Sequence, residues 1–240
     1  MWEVMICDSD KNFVSKLNAY VQDFYSERGL ETNIQGYTDG TALLDAVAGQ
    51  KVDLLFLNTR LSDMHGFVLA GKIRSQSDKK DTSLVFLSDH DEDVFDSFMY
   101  RPFGYMRKTQ TKNDLDRIMH RLWNVKHADR SITVRHQRTQ KLLRIPDIMY
   151  MESQGHYLSI HCADGEVYRF RGRMAEYEEL LQGSFFVHSA KSYLVNCVFI
   201  AEVKEQVRLT DNTMLPCSKT RKNEVKKMCD VYLKDLAEQR

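Results

Sequence analysis

Three uninterrupted apolar runs, VMIC (4–7), LLFL (54–57) and LVFL (84–87), recur in the first half of the chain and limit what it can fold into. A strand that is apolar at every position is buried on both faces, as in a parallel sheet covered by helices on each side. Residues 33–37 and the run FGYM (103–106) are two weaker strand candidates. Between these runs, apolar residues fall at helical spacing: Phe13, Leu17, Tyr20 and Phe24; Leu43, Leu44, Val47 and Ala48; Phe67, Ala70 and Ile73; residues 94–99; and Leu115, Ile118, Met119 and Leu122. Five strands alternating with five helices over residues 1–124 predict an α/β unit: an open, five-stranded, doubly wound, mostly parallel sheet with helices on both faces.

The rhythm changes after a stretch at 125–130 that reads as a linker. Residues 131–240 are mostly β, with short strand patterns at 132–135, 142–145, 148–151, 157–162 and 167–170. Further strands are expected at 198–203, 207–210 and 213–217, the last two joined by a turn at Asp211 and Asn212. Helices are expected over 173–181 and about 219–237.

Composition excludes several classes of protein. Charged residues make up 28% of the chain and hydrophobic ones 42%, as in ordinary globular proteins. The sequence has no apolar run of 18 residues and no leader-like start, so a cytoplasmic protein without a membrane segment is expected. Five widely spaced cysteines without a CxxC pair point to reduced thiols rather than a disulfide framework or a zinc site. The formal net charge of zero conceals an asymmetry. Residues 1–124 carry 15 Lys and Arg against 19 Asp and Glu, and residues 125–240 carry 19 against 15. A basic second half suits a polyanionic partner, although an excess of four is modest.

Chemistry in an open parallel sheet gathers at the carboxyl ends of its strands. Those ends carry Asp8, Ser9 and Asp10, then Asn58, Ser88 and Lys108, with Tyr105 close to the last. This set resembles the receiver domain of two-component response regulators. The family has an acidic pair after strand 1, a phospho-accepting Asp after strand 3, Ser or Thr after strand 4 and Lys-Pro after strand 5. The loop LSDMHG (61–66) is similar to the family's L-P-x-M-x-G, and Tyr105 matches its aromatic switch position.

The departures fall on the reaction itself. Attack on a phosphoryl group needs a carboxylate oxygen, and Mg²⁺ needs hard oxygen ligands that usually include carboxylates. Asn58 stands at the acceptor position, Ser9 replaces one acid of the pair, and Thr109 follows the lysine where Pro is usual. An amide introduced to block phosphorylation would alter one position. Two departures favour a naturally degenerate pocket in which Lys108 pairs with Asp8. No cofactor or metal is expected, although Asp10 with the Asn58 oxygen leaves open a loosely held divalent ion.

The second half resembles the LytTR DNA-binding domains over residues 131–233. IPDIMYMESQGHY (145–157), RGRM (171–174), SYLVN (192–196) and LPCSKTR (215–221) carry the likeness. The resemblance implies DNA contacts at His156, Lys191, Lys219 and Arg221, with Arg171, Arg173 and Lys222 near phosphates. The histidine usual before the lysine of the SYLVN segment is Ala190 here, with His188 two residues earlier. Asn196 is expected to bond the backbone of its own turn.

Together these features predict a non-enzymatic, sequence-specific transcription regulator of double-stranded promoter repeats that acts without phosphorylation at aspartate. The family resemblance implies a homodimer formed through the receiver face that includes 89–95, 100–105 and the last receiver helix. An alternative is an interaction module that antagonises other regulators and binds DNA only weakly.

Overall fold

The computed structural model describes residues 1–76, 81–127, 130–136 and 139–237. The chain divides into two compact units, one of residues 1–26 and 30–122 and the other of residues 27–29 and 123–240.

The first unit alternates β1 (Trp2–Cys7), α1 (Lys11–Glu27), β2 (Thr32–Tyr37), α2 (Gly40–Val47), β3 (Leu54–Asn58), α3 (Gly66–Ser75), β4 (Ser83–Ser88), α4 (Asp93–Ser97), β5 (Gly104–Arg107) and α5 (Thr111–His127). Its sheet is wholly parallel in the order β2-β1-β3-β4-β5. Every residue of β3 and β4 is buried, as their unbroken apolar runs require. Leu55, Leu57, Leu84 and Phe86 meet Leu69, Ala70 and Ile73 of α3 in one core cluster.

Two local devices place the strand ends. The Asp10 carboxylate accepts from the backbone N–H groups of Asn12 and Phe13, capping α1. Gly66 opens α3 so close to β3 that a Cβ would stand 2.1 Å from the Asn58 carbonyl oxygen. Its N–H donates to Thr59 O at 2.7 Å, and glycine alone allows that approach.

The second unit contains β6 (Ser131–His136), β7 (Thr139–Arg144), β8 (Ile148–Gln154), β9 (Tyr157–Cys162), β10 (Val167–Arg171), α6 (Met174–Leu181), β11 (Phe186–Ala190), β12 (Tyr193–Asn196), β13 (Ile200–Val203), β14 (Gln206–Leu209), β15 (Met214–Pro216) and α7 (Lys222–Ala237). The central antiparallel sheet runs β10-β9-β8-β12-β11. One face packs Met151, Leu158, Ile160 and Leu194 against the β6–β7 hairpin and α6. The other packs Met149, Val187 and Val195 against β14, β15 and α7. A bulge between Ile148 and Tyr150 explains how Ile148 and Met151, three residues apart, serve one core while Met149 and Tyr150 between them face the other.

Several boundaries differ from expectation. Residues 125–127, read as linker, continue α5, while 128 and 129 lie outside the described residues. The strand expected at 198–203 starts at Ile200, because a 3-10 turn occupies Cys197–Phe199. Asn196 caps that turn by accepting from Val198 N, and its amide also donates to Ile148 O at 2.9 Å. The last helix begins at Lys222 rather than 219, because Arg221 and Lys222 N–H groups close a turn onto Ser218 O.

Candidate functional site

In the first unit the carboxyl ends of β1, β3, β4 and β5 converge on a polar pocket. Asp8 is buried, and Lys108 Nζ lies 3.0 Å from its Oδ2 and 3.3 Å from its Oδ1. The same ammonium stands 4.7 Å from the centre of the Phe13 ring. The pair foreseen between Asp8 and Lys108 is therefore formed.

Each remaining position expected to carry chemistry has a local structural partner. Ser9 Oγ accepts from Ser62 N at 3.1 Å. Asp10 is committed to the start of α1, and Asn58 Oδ1 accepts from Arg60 N at 3.0 Å. Tyr105 OH donates to His90 O at 2.6 Å, and burial raises its phenol above the ordinary value. As a site for Mg²⁺ this donor set fits poorly. Asp8 is held by a lysine, Asp10 by helix N–H groups, and the other two ligand positions bear a hydroxyl and an amide.

Sequence reasoning missed the second half of this pocket, which is organised by Asp93. This carboxylate is buried at the first turn of α4. Thr59 Oγ1 lies 2.9 Å from both Asp93 Oδ2 and Ser88 Oγ, Ser88 Oγ donates to Asp93 Oδ2 at 3.2 Å, and Arg60 donates to Oδ1 at 3.3 Å. Burial alone would raise the Asp93 carboxyl, but hydrogen bonds from Thr59, Arg60 and Ser88 outweigh it and the net shift is downward. The cluster ties α4 to the ends of β3 and β4, with Ser88 turned to an internal acid. The DED run at 91–93 reads as a solvated acidic stretch, and only the fold buries its third member.

In the second unit three backbone hydrogen bonds bring sequence-distant loops to one end of the central sheet. Gly172 N donates to His156 O at 3.2 Å, joining the end of β10 to the β8–β9 turn. Ser153 N donates to Ser192 O at 2.9 Å, setting that turn beside the β11–β12 turn that carries Lys191. Ser218 N donates to Ser189 O at 2.8 Å, adding the segment with Lys219.

His156, Arg173, Lys191 and Lys219 thus lie along one rim, and all four are exposed, as is Arg171 at the end of β10. Among the described residues no carboxylate pairs with Arg171, Arg173, Lys191 or Lys219. Arg221 and Lys222 differ. They are half-buried and lie 3.1 Å from Glu224 and 3.3 Å from Glu205, so part of their charge is already answered. His188, beside the rim, has both ring nitrogens near acceptors, Tyr193 O at 3.2 Å and Glu178 Oε1 at 3.0 Å. Such unpartnered cations on convergent loops can meet phosphates and base edges.

Comparison with known proteins agrees with this division. Residues 4–120 match the response regulator receiver domain family and residues 138–230 the LytTr DNA-binding domain family. The sensory transduction protein LytT of Bacillus subtilis (strain 168) is 24% identical over 207 residues, covering 78% of this chain and 83% of that protein. LytT of Enterococcus faecalis is 26% identical over 201 residues, with coverages of 76% and 82%. The transcriptional regulatory protein LytR of Staphylococcus aureus (strain bovine RF122 / ET3-1) is 25% identical over 183 residues, with coverages of 70% and 73%.

Proposed function

The chain belongs to the response regulators that join a receiver domain to a LytTR DNA-binding domain, and we propose that it is a sequence-specific regulator of transcription whose receiver works without phosphorylation at aspartate. The observation that carries the second half of this reading is Asn58 at the carboxyl end of β3. Its amide is not a carboxylate nucleophile, and its oxygen is occupied by Arg60 N–H. The Lys108–Asp8 pair and the Asp93 cluster support a pocket held in one arrangement, so control passes to concentration, self-association or another partner. Self-association through the α4–β5–α5 face is supported by Phe95, Phe98 and Met99, which leave 81%, 65% and 84% of their surface in solvent.

Double-stranded DNA is the proposed ligand of the second unit, held by His156, Arg171, Arg173, Lys191 and Lys219, with Arg221 and Lys222 at the edge. The exposed apolar face also suits an antagonist that pairs with other regulators, and salt dependence separates the two readings. Neutralising phosphates releases counterions, at about 0.9 logarithmic unit of affinity per phosphate for each tenfold change in salt. Fluorescence anisotropy with a labelled duplex should give a log–log slope of about −3 or steeper. A slope near zero would leave only the antagonist reading.

A further inference from the structure

The loops on the rim are not the whole of the basic surface. The exposed face of β10 carries Val167, Arg169 and Arg171, while Tyr168 and Phe170 point into the core between the sheet and α6. The register places Arg171 opposite Tyr157 and Arg169 opposite Ser159, one row further from the rim. Tyr157 is 49% exposed, and the Arg169 guanidinium lies 5.1 Å from its ring centre. Elsewhere on this side of the sheet, β14 and β15 cover β8, β12 and β11. On β10 this face stays exposed, while Ser159 of β9 beside it is buried.

An arginine laid over a tyrosine keeps all its N–H donors outward while the ring restricts its motion. Among the described residues no carboxylate is paired with Arg169. From this geometry we infer that Arg169, supported from beneath by Tyr157, is a further phosphate-binding residue, extending the DNA surface from the rim along β10. The inference rests on the DNA-binding reading above and deepens it. Arg169 contributes a backbone contact that is independent of base sequence, and Tyr157 acts as a positioning residue. Arg171 bridges this position to His156 and Arg173 at the rim.

The test uses the full-length protein and a fluorescein-labelled random 40-base-pair duplex, titrated at several sodium chloride concentrations. Arg169→Ala is expected to weaken binding about fivefold at low salt and to make the log–log slope shallower by about 0.9, the signature of one lost phosphate. Tyr157→Ala should produce a smaller loss in the same direction, and Tyr157→Phe, which keeps the ring, should match the unmodified protein. Lys141→Ala removes the same charge from exposed β7 and measures the general electrostatic effect, expected to stay under twofold. Circular dichroism confirms that each variant is folded. If Arg169→Ala behaves as Lys141→Ala does in both affinity and slope, the assignment of Arg169 is overturned while the DNA-binding reading stands. If the unmodified protein shows no salt-dependent duplex binding, both are overturned.

Discussion

Lys108→Ala should lower the melting temperature of the receiver unit by about 8 °C. Asp8 is 1% exposed on its side chain and Lys108 14%, so deleting the ammonium leaves a carboxylate in the protein interior. Removing one partner of a fully buried pair costs about 3–5 kcal/mol. The partial exposure of Lys108 reduces this to about 2 kcal/mol, and each kcal/mol shifts the melting point of a unit this size by about 4 °C. The double variant Asp8→Asn/Lys108→Met should recover much of the loss, because neither charge remains to be orphaned. Differential scanning calorimetry of the two variants and each single substitution closes the cycle. A melting point for Lys108→Ala within about a degree of the parent would show that the pair does not hold the pocket.

The second large effect is expected on DNA. Lys191→Ala and Lys219→Ala should each weaken duplex affinity about tenfold, in the range of one good contact to a base or a desolvated phosphate. They sit on different loops and both side chains are exposed, so their effects should add, giving about a hundredfold loss in the double variant. Arg221→Ala should cost less, since Glu224 already engages that guanidinium. Melting temperatures should not move, because Lys191 and Lys219 are exposed and make no ion pair among the described residues. Affinities within twofold of the parent would place the DNA surface elsewhere on the unit.

The parts of this molecule that could be read in advance are those where one physical demand governs a contiguous segment. LLFL and LVFL declare strands buried on both faces because nothing polar interrupts them, and β3 and β4 are buried throughout. Asn58 stands at the end of one such strand, and Lys108 follows the weaker β5. What escaped depends on contacts between segments far apart in sequence. Phe186–Ala190 hardly reads as a strand, since its inward positions are Val187 and the polar Ser189, so the buried face carries no apolar alternation in the sequence. Asp93 looks like its acidic neighbours until Thr59, Ser88 and Arg60 close around it. Residues 125–127 are too polar to announce a helix, yet they continue the last turn of α5. Motifs placed His156, Lys191 and Lys219 as separate candidates. Only the cross-loop bonds from Gly172, Ser153 and Ser218 join them into one rim.

The proposal that the receiver works without phosphorylation is tested most directly by sedimentation velocity on the full-length protein. The measurement is made with and without beryllofluoride and Mg²⁺, and repeated with acetyl phosphate. An acceptor carboxylate is needed to hold the beryllium as a phosphoryl mimic, and Asn58 offers an amide whose oxygen already accepts from Arg60 N–H. The distribution of sedimentation coefficients is therefore expected to be the same in all three conditions, whatever the association state. A shift toward a larger species on adding either reagent would contradict it, showing that the pocket still captures a phosphoryl group and passes the signal to the association state.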